Sequence, residues 1–441
     1  GMNLTLSGFT NATLTGGAGN DLFTVSAWTG SATLNGGGGT NTIESTKEAD
    51  FTLTNSELQA SGSLPVSLSN FTVAKLSGKS GNNRFVVSDW TGTAMLTGSG
   101  GTDQLVVQRD VANIALSKST LETTGYGLLT LTTIEDAQLT GGAGDNVFSV
   151  SDWAGIGTLT GGGGSDVIIG SSTQSKAQFT LTEMQLIITQ TTASKSSTMQ
   201  IVSMESAQLI GGASNNVFTI SGWNHAADIQ GQGGTDQVNA IRDTDMTLTN
   251  TALAAVGFVT LTLDSVETAN LSGGSSNNLL DAAGFTLGAV TLQGGNGHDT
   301  LLGGTGNDVL LGGSGDDSIV GNAGRDLLIG GTGTDSLEGG AGDDLLISGT
   351  TSHDSDDAAL IRIMAEWTRA STFAQRTSRL INGGGKNEQT KLNNSTVQND
   401  SGAADVLTGG SETDWFFESS NDIVVNFNAG LLELKTPIQG P

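Results

Sequence analysis

The chain has 441 residues, of which 66 are glycine, three are proline and none is cysteine, and its 44 acidic and 17 basic side chains give a net charge of −27. This charge excludes a nucleic-acid-binding protein and one that rests on anionic lipid, and no apolar run is long enough to span a bilayer. The absence of cysteine excludes disulfides and thiolate metal sites. Hydrophobic residues, at 36%, suffice for a core, and glycine far above its usual level of roughly 7% predicts many tight turns.

The sequence opens with Gly1-Met2 and lacks the basic segment and apolar run of a cleavable signal peptide. We interpret the leading glycine as a cloning remnant and expect the chain to be a fragment of a longer protein. A signal sequence in the longer protein would then lie upstream of this chain.

A nine-residue pattern, Gly-Gly-x-Gly-x-(Asp or Asn)-x-apolar-x, recurs through most of the chain. In the region 16–293 it comes in pairs whose members are separated by a nearly constant offset. The first members start at Gly16, Gly78, Gly141, Gly211 and Gly273, and their partners start at Gly36, Gly98, Gly161, Gly231 and Gly294. A larger repeat therefore runs from each first member to the next, and it carries other recurring words such as FTLTNSEL at 51–58, VSDW at 87–90 and IEDAQL at 134–139.

These periods predict a coiled stack of short strands. Two consecutive nonapeptides are expected to form one coil with two strands and two glycine turns. In the paired region the two nonapeptides of a pair start further apart, which predicts a larger coil. One whole large repeat is then long enough for three such coils. Phe51-Thr52-Leu53-Thr54 alternates apolar and polar residues, as half-buried strands do. Position eight is apolar at Phe23, Phe85, Phe148, Phe218, Leu301, Leu310, Ile319, Leu328, Leu337 and Leu346. We expect an all-β fold, in which a right-handed parallel β-solenoid (β-helix) of five larger repeats in 1–293 continues into a tighter parallel β-roll in 294–350.

Position six of the paired nonapeptides varies between two residue types. It is aspartate at Asp21, Asp103, Asp166 and Asp236, and asparagine at Asn41, Asn83, Asn146, Asn216 and Asn278. Because a neutral amide can hydrogen-bond its neighbours without a metal, we expect metal ions at only a minority of these turns.

One tryptophan occurs in each of the first four repeats, at Trp28, Trp90, Trp153 and Trp223, whereas the fifth repeat has Ala283 and Phe285 there. Regularly spaced aromatic residues either stack on sugar rings or cover an apolar edge of the coil. We favour the second interpretation.

From residue 294 to 347 the nonapeptide runs six times without a gap, and its aspartates form two series in which every second copy is equivalent. Asp299, Asp317 and Asp335 are expected along one edge, and Asp308, Asp326 and Asp344 along the other. Stacked carboxylates about 4.8 Å apart repel by on the order of 1 kcal/mol even in water. A hard divalent cation between the turns would replace this repulsion by attraction, and carboxylate and carbonyl oxygens select calcium over zinc or copper. The alternative is a metal-free stack with an acidic, solvated edge.

This uninterrupted run resembles the calcium-binding nonapeptide of the RTX (repeats-in-toxin, hemolysin-type) proteins. The resemblance implies calcium ions between turns of adjacent coils, held by the six aspartates just named and by turn carbonyls. The glycines expected to contribute carbonyls are Gly297, Gly306, Gly315, Gly324 and Gly333. It further implies export through a type I secretion channel, folding outside the cell where calcium is plentiful, and a secreted or cell-surface role as an adhesin or matrix scaffold. The partners implied are calcium ions and polysaccharide or other cell-surface components.

Residues 351–399 are predicted to form a helical insertion and a loop. Ser355-Asp356-Asp357 is a typical helix start, apolar residues follow at helical spacing up to Trp367, and Thr372 with Gln375 forms a second capping box. Four arginines, Arg362, Arg369, Arg376 and Arg379, indicate an electrostatic clamp on the acidic edge. The helices are expected to cover the apolar row at position nine, namely Leu302, Leu311, Val320, Ile329 and Ile347. The alternative is a solvated insertion that does not dock.

Residues 400–441 are predicted to form a degenerate β-roll cap. Two irregular nonapeptides place Asp405 and Asp414 at the metal position, although Glu412 replaces a glycine. The aromatic and apolar residues expected to cap the last coil are Trp415, Phe416, Phe417, Ile423 and Phe427. This order of elements resembles the C-terminal ends of large secreted bacterial RTX proteins of the planctomycete type.

Catalytic motifs are not found, so we do not expect an enzyme. His225, His298 and His353 lie in separate turns or loops, with His298 in the freely variable fifth position of a nonapeptide. No nucleophile elbow, zinc-protease helix or phosphate-binding loop occurs. Some parallel β-helices are polysaccharide lyases or epimerases, which remains the alternative, but Arg84, Arg109 and Arg242 fall at unlike positions of their repeats.

Overall fold

The computed structural model describes residues 9–174, 176–191, 194–400, 402–427 and 433–438, so Gly1 and Met2, with the predicted cloning remnant, lie outside it. The chain divides into two compact units, Gly1–Ala213 and Ser214–Pro441, and each contains two sheets of short strands. The division falls inside the region predicted to form one β-helix, and the predicted domain boundaries stay predictions. No helix among the described residues is long and apolar enough to cross a membrane.

The first unit is made of short strands that form two sheets. In chain order the described strands are β1 (Asn11–Thr15), β2 (Leu22–Thr24), β3 (Ser31–Asn35), β4 (Thr42–Thr46), β5 (Phe51–Leu53), β6 (Glu57–Ala60), β7 (Val66–Ser69), β8 (Val73–Ser77), β9 (Arg84–Val86), β10 (Thr93–Thr97), β11 (Gln104–Gln108), β12 (Asn113–Ser117), β13 (Thr120–Thr123), β14 (Leu129–Thr132), β15 (Asp136–Thr140), β16 (Val147–Ser151), β17 (Ile156–Thr160), β18 (Val167–Ser171), β19 (Ala177–Thr182), β20 (Gln185–Gln190), β21 (Lys195–Val202) and β22 (Ser206–Ile210). Sheet 1b contains β2, β4, β8, β10, β12–β14, β16, β18 and β22, and sheet 1a contains the others.

Most neighbouring strands of this unit pair in parallel, with buried apolar residues in register. Leu96 lies opposite Leu76 across β10 and β8, and both side chains are buried. Apolar residues point inward and polar residues outward in alternation along these strands, as the sequence predicted. One pass in each large repeat differs, because it is an antiparallel three-stranded meander: β5–β7, β12–β14 and β19–β21. The word FTLTNSEL forms the first hairpin of such a meander, with Phe51 opposite Ala60.

Each repeat therefore makes five passes between the sheets, four by single strands and one by the meander, which amounts to two and a half coils. The prediction of three coils per repeat is wrong. Because five is odd, equivalent words of successive repeats lie in opposite sheets: β2 is in sheet 1b, β9 in sheet 1a and β16 in sheet 1b. The alternation of apolar and polar residues is the same in parallel and antiparallel strands, so the sequence pattern did not reveal the hairpins.

The second unit also has two sheets, to which two helices are added. Its described elements are β23 (Val217–Ile220), β24 (Ala226–Gln230), β25 (Gln237–Ile241), β26 (Met246–Thr249), β27 (Ala252–Ala255), β28 (Leu261–Asp264), β29 (Thr268–Ser272), β30 (Leu279–Gly284), β31 (Val290–Asn296), β32 (Thr300–Leu302), β33 (Val309–Ser314), β34 (Ser318–Ala323), β35 (Leu327–Thr332), β36 (Ser336–Ala341), β37 (Leu345–Ile347), β38 (Thr350–Thr351), α1 (Asp357–Trp367), α2 (Phe373–Asn382), β39 (Val397–Gln398), β40 (Val406–Ser411), β41 (Trp415–Glu418), β42 (Ile423–Val425) and β43 (Leu434–Pro437). Sheet 2a contains β23, β25, β29, β31, β33, β35, β37, β41 and β43, and sheet 2b contains β24, β26–β28, β30, β32, β34, β36, β40 and β42.

From β31 onwards the strands form a parallel roll in which two nonapeptides make one coil, as predicted. Leu310 lies opposite Leu328 in sheet 2a, and Leu301 lies opposite Ile319 in sheet 2b, so the residues at position eight stack as buried columns. The roll resumes after the helical insertion, because β40 pairs with β36 and β41 pairs with β37. The fold class is thus an all-β parallel solenoid and roll, while its right-handedness stays a prediction.

The two faces of the roll differ at position seven, and this difference decides where the helices dock. Sheet 2a presents apolar residues there, Val309, Leu327 and Leu345, whereas sheet 2b presents Thr300, Ser318 and Ser336. Both helices pack on sheet 2a, which confirms docking. The predicted row at position nine is half right: Leu311, Ile329 and Ile347 are buried under the helices, but Leu302 and Val320 lie in sheet 2b and are only half-buried.

The helices begin where the sequence predicted, but the electrostatic clamp is narrower than expected. The Asp356 carboxylate accepts the N–H of Ala359 at 3.0 Å, and the capping box of α2 is formed. Of the four arginine side chains, the buried one of Arg376 reaches the roll, where it donates to Asp343 Oδ2 at 2.5 Å. Arg369 and Arg379 pair with the buried Glu366 of α1 and Arg362 with Asp356, so they hold the insertion itself together.

The C-terminal aromatic residues do not form one cap. Trp415 and Phe417 face the helices on sheet 2a, where Trp415 lies 6.1 Å from Trp367 between ring centroids. Phe416 points to the opposite side of the same strand and is buried, with the ring of Phe427 at 6.3 Å. Ile423 and Phe427 are themselves exposed, so the expectation of a shared aromatic cover is wrong. Successive residues of a strand face opposite sides, which separates these neighbours.

Substitution of Trp367 by alanine tests how strongly the insertion is anchored. The indole is fully buried between α1, α2 and sheet 2a and donates to the carbonyl of Asp343 at 2.9 Å. We expect the Trp367→Ala variant to lose about 3–5 kcal/mol of unfolding free energy in the second unit. Ile361→Ala, on the exposed side of the same helix, is the control and should change stability by less than about 0.5 kcal/mol. Urea titration, monitored by amide hydrogen exchange in β35, measures the unfolding free energy of both variants. An equal loss of stability in the two variants would contradict the docking.

Candidate metal sites along the glycine turns

The turns of the roll stack their aspartates into two columns. The N–H of Asp299 donates to Oδ1 of Asp317 at 2.7 Å, and the N–H of Asp317 donates to Oδ1 of Asp335 at 2.8 Å. In the other column, the N–H of Asp308 donates to Asp326 at 2.7 Å, and that of Asp326 donates to Asp344 at 2.9 Å. The structure thus places the six predicted aspartates along two opposite edges. Each column continues past the insertion, since the N–H of Asp335 donates to Asp405 and that of Asp344 donates to Asp414.

The second oxygen of nearly every one of these carboxylates has no hydrogen-bond partner. It is buried and unpaired at Oδ2 of Asp299, Asp317, Asp326, Asp335, Asp344, Asp405 and Asp414. Asp308 differs, because its Oδ2 accepts the N–H of Gly304 at 2.7 Å. A buried oxygen without a donor is costly unless a cation or a proton neutralises it.

Burial raises the pKa of these carboxyls. Loss of hydration raises the pKa of Asp308 and Asp317 to about 6. In Asp326, Asp335 and Asp344, loss of hydration and then the neighbouring aspartates raise the pKa to about 8, 8 and 9. The raised pKa means that the ionised carboxylate is unstable in these turns when no cation is bound. A cation next to the carboxylate would therefore stabilise the ionised form strongly.

Glycine is required at two places in each turn. At the first position, a β-carbon on Gly312 would lie 2.4 Å from Oδ2 of Asp317, so any side chain would displace the carboxylate. At the fourth position, Gly297, Gly315, Gly324 and Gly333 have φ between 123° and 135°, which L side chains rarely adopt, and Gly306 is the exception.

The fourth-position carbonyls also approach the next coil closely. The carbonyl oxygens of Gly297 and Gly306 each lie 1.7 Å from where the glycine one coil further, Gly315 or Gly324, would carry a β-carbon. The predicted carbonyl ligands therefore line the turns next to the aspartate columns. In the described ranges no three His, Cys, Asp or Glu side chains converge on one point, so an ion here must take backbone oxygens as well. Carboxylate and carbonyl oxygens are the ligands that calcium prefers.

In the larger coils the residue at position six separates closed turns from open ones. Each asparagine uses its Nδ2 as a donor: Asn41 to Asn70 O, Asn83 to Glu48, Asn146 to Val111 O, Asn216 to Asp236 and Asn278 to Asp243. The aspartates Asp103, Asp166 and Asp236 instead keep a buried, unpaired Oδ2, and burial raises their pKa. Asp21 is the exception, because its Oδ2 accepts the N–H of Gly17 at 2.7 Å. The asparagine turns thus find hydrogen-bond partners without a metal, as the sequence predicted.

Sequence reasoning missed a set of carboxylates that close the asparagine turns. Asp110 accepts the N–H groups of Ala143 and Gly144 at 3.1 and 3.2 Å, and Glu48 accepts those of Ser80 and Gly81 at 3.0 Å each. Glu48, Asp110 and Asp243 lie at the same distance in sequence from the first glycine of their large repeats, Gly16, Gly78 and Gly211. This common position is the signal by which the sequence could have identified them.

Three of the four regularly spaced tryptophans are buried. Trp90, Trp153 and Trp223 are at most 3% exposed, and the indole N–H of Trp90 donates to Thr93 O at 3.1 Å within its own turn. Stacking on sugar rings is therefore wrong for these three residues, and the favoured interpretation as cover for an apolar edge is confirmed. Trp28 is half-buried.

Two arginines serve these tryptophan turns. Arg109 and Arg242 are buried, occupy the same place in the repeats that begin at Gly78 and Gly211, and donate to the carbonyls of Trp90 and Trp223 at 3.0 and 2.7 Å. Each guanidinium also stacks on an aromatic ring, 3.9 Å from the centroid for Arg109 over Tyr126. The prediction that the arginines fall at unlike positions is wrong for this pair, whose contacts are structural.

The fifth position of the nonapeptide is not free, contrary to expectation. Asn307 and Asp316 accept the N–H groups of Arg325 and Thr334, one coil further, at 2.8 Å each. His298 also takes part, because its Nδ1 accepts the N–H of Asp316 at 2.8 Å. A second polar column thus runs beside the aspartates, and the histidines are not brought together.

Comparison with known families decides what these turns are. A model of the RTX calcium-binding nonapeptide repeat matches residues 8–27, 154–172, 286–310, 293–328 and 311–346. These segments of the chain are similar to RTX-type calcium-binding repeats. The matched segments cover nearly all of the uninterrupted run of nonapeptides but a minority of the chain, and calcium is the ion that such repeats bind. No curated protein matches the chain.

Replacing Asp344 by asparagine separates calcium binding from the intrinsic stability of the roll. The amide keeps the oxygen that accepts the N–H of Asp326 and replaces the unpaired Oδ2 by a donor. We expect Asp344→Asn to stabilise the chelated protein by about 1–3 kcal/mol and to reduce the stabilisation by calcium. Asp316→Asn, in the exposed position five, is the control and should be within about 0.5 kcal/mol of wild type. Thermal denaturation with and without chelator measures both, and a loss of stability in chelator would contradict the site.

Proposed function

We propose that this chain is a calcium-organised structural module of a secreted or cell-surface bacterial protein, exported unfolded and folded outside the cell. The observation that carries the proposal is the pair of columns of buried aspartates, most of which keep a second oxygen without a partner along the roll. Without a cation, folding must bury these groups as neutral acids or as repelling charges. With calcium, the same groups would stabilise the folded state.

The coupling between calcium and folding follows from linkage. An ion that binds the folded chain and not the unfolded chain stabilises the fold by about 2.7 kcal/mol per site at a free concentration one hundred times the dissociation constant. The ligands of each site come from consecutive coils, so the unfolded chain offers no assembled site. A calcium-poor cytoplasm would therefore keep the roll unfolded for export, and a calcium-rich exterior would drive its folding.

Chelation of the full chain tests this proposal. We expect removal of calcium to release the amides of β31–β37 to fast hydrogen exchange, because these strands stack the aspartate columns, and we expect readdition of calcium to restore protection. The meander strand β6 of the first large repeat, where the amide of Asn41 closes the turn without an ion, is the internal control and should stay protected. Magnesium at equal concentration should restore protection poorly, because it requires near-ideal octahedral geometry. Protection of β31–β37 that is unchanged by chelator would overturn the proposal.

We further propose an adhesive or scaffolding role on the cell surface. The buried tryptophans offer no sugar platform, so a polysaccharide-binding or polysaccharide-cleaving role would need another surface. Binding of the calcium-loaded full chain to a bacterial surface-glycan array, lost on chelation, would favour an adhesin. A calcium-folded chain that binds no glycan would favour a scaffold.

A further inference from the structure

A shallow cavity, which we call the meander trough, opens on the outer surface of the meander β12–β14 in the second large repeat. Its volume is about 390 Å³, within the range of roughly 300–1,000 Å³ that is usual for small-molecule sites. Two rows of side chains that cross the meander line it. One row is Ala115, Glu122 and Leu128, and the other is Asn113, Thr124 and Tyr126.

The ring of Tyr126 is supported from below by a buried arginine. The guanidinium of Arg109 lies 3.9 Å from the ring centroid. This guanidinium is fixed in turn, because it donates to the carbonyls of Ser88, Val87 and Trp90 at 3.0, 2.8 and 3.0 Å. Since Arg109 occupies one face of the ring, the ring can offer only its other face to a bound molecule. A ring that is already held in place loses little entropy when a ligand stacks on it.

The polar groups of the trough are available to a ligand. Glu122 is exposed, and among the described residues neither its carboxylate nor the hydroxyl of Tyr126 has a hydrogen-bond partner. Asn113 uses its Nδ2 in a long hydrogen bond of 3.4 Å to Thr124, which leaves its Oδ1 as an acceptor. The trough therefore joins an aromatic ring and aliphatic side chains to a carboxylate and an amide that can bind hydroxyl groups.

The two residues that open the trough are not shared by the equivalent meanders. Ala115 and Glu122 face each other across β12 and β13. The pairs at the same register in the first, third and fourth repeats are Thr52 with Gln59, Thr180 with Ile187, and Thr247 with Ala254. The fourth repeat keeps the stack of an arginine on an aromatic ring, Arg242 on Phe258. The stack therefore belongs to the fold, whereas the small residue and the carboxylate are particular to the second repeat.

The charges around the trough favour a neutral ligand. The chain has a net charge of −27 and Glu122 lines the trough, so phosphates and acidic sugars would be repelled. The guanidinium beneath Tyr126 would repel a cation placed over the same ring. A neutral pyranose avoids both penalties, because it has apolar C–H bonds on one face and hydroxyl groups around its rim.

We propose that the meander trough binds a neutral sugar residue of a surface glycan, with the C–H face of the sugar on Tyr126 and its hydroxyl groups donating to Glu122 and Asn113. The proposal rests on the adhesive role proposed above and names the surface that such a role requires. It places the sugar outside the nonapeptide turns and away from the buried tryptophans.

A glycan array probed with the calcium-loaded full chain tests the proposal. The array carries neutral hexose and N-acetylhexosamine oligosaccharides, with uronic acid oligosaccharides as the charged comparison. We expect wild type to bind neutral glycans and not the charged set. Ala115→Thr, which fills the trough, and Glu122→Ala, which removes the carboxylate, should each lower the apparent affinity by about tenfold or more. Both substitutions introduce residues that equivalent meanders already carry, so both variants should keep the β-sheet circular dichroism of wild type.

Thr52→Ala is the matched control, because Thr52 is exposed at the position of Ala115 in the meander of the first repeat. Its glycan binding should equal that of wild type. Unchanged binding in a folded Ala115→Thr or Glu122→Ala variant would overturn the site but not the adhesive role, because the glycan would then bind elsewhere. A wild type that binds no neutral glycan would also overturn the site. Calcium-dependent amide exchange in β31–β37 reports separately on whether the module folds as proposed.

Discussion

Buried carboxylates at stacked turns are the constraint on which this structure depends. A solenoid brings equivalent residues of successive coils within bonding distance, so one acidic residue per turn becomes a continuous column of charge. One oxygen of each carboxylate is used by the backbone of the preceding coil, as when Asp335 accepts the N–H of Asp317. The other oxygen is buried against glycines that must remain glycines, so its neutralisation decides whether the coil is stable.

The same turn is built in several ways along the chain. In the roll it carries aspartate, in most coils with a free oxygen, and at Asn83, Asn146 and Asn278 it carries asparagine next to a carboxylate such as Asp110. At Asn41 it is closed by the amide alone. These variants keep the backbone path and change only which group donates and which accepts. Neighbouring coils therefore stack in the same way although their turns are closed by different groups.

The helical insertion shows how a regular roll gains a unique face. The two helices cover sheet 2a and not sheet 2b among the described residues, because Leu327 and Leu345 lie where sheet 2b has serine. Trp367 and Arg376 then fix the helices to the last turn of the run through the carbonyl and carboxylate of Asp343. Apolar side chains hold the helices against sheet 2a, and the ion pair between Arg376 and Asp343 ties α2 to the last nonapeptide of the run.

The nonapeptide period alone determined the all-β stack, the buried columns at position eight and the two series of aspartates, because each follows from spacing and residue chemistry. The sequence also predicted the starts of both helices, because a capping hydrogen bond joins residues only three positions apart. The tertiary structure decided the antiparallel meanders, the alternation of repeats between sheets, the burial of Trp90 and Trp223, and the common role of Arg109 and Arg242. The direction of each strand, and whether a repeat contains an odd or even number of strand passes, depend on pairing between segments that are distant in the sequence. A periodic sequence is compatible with more than one such pairing, so only the tertiary structure could decide between them.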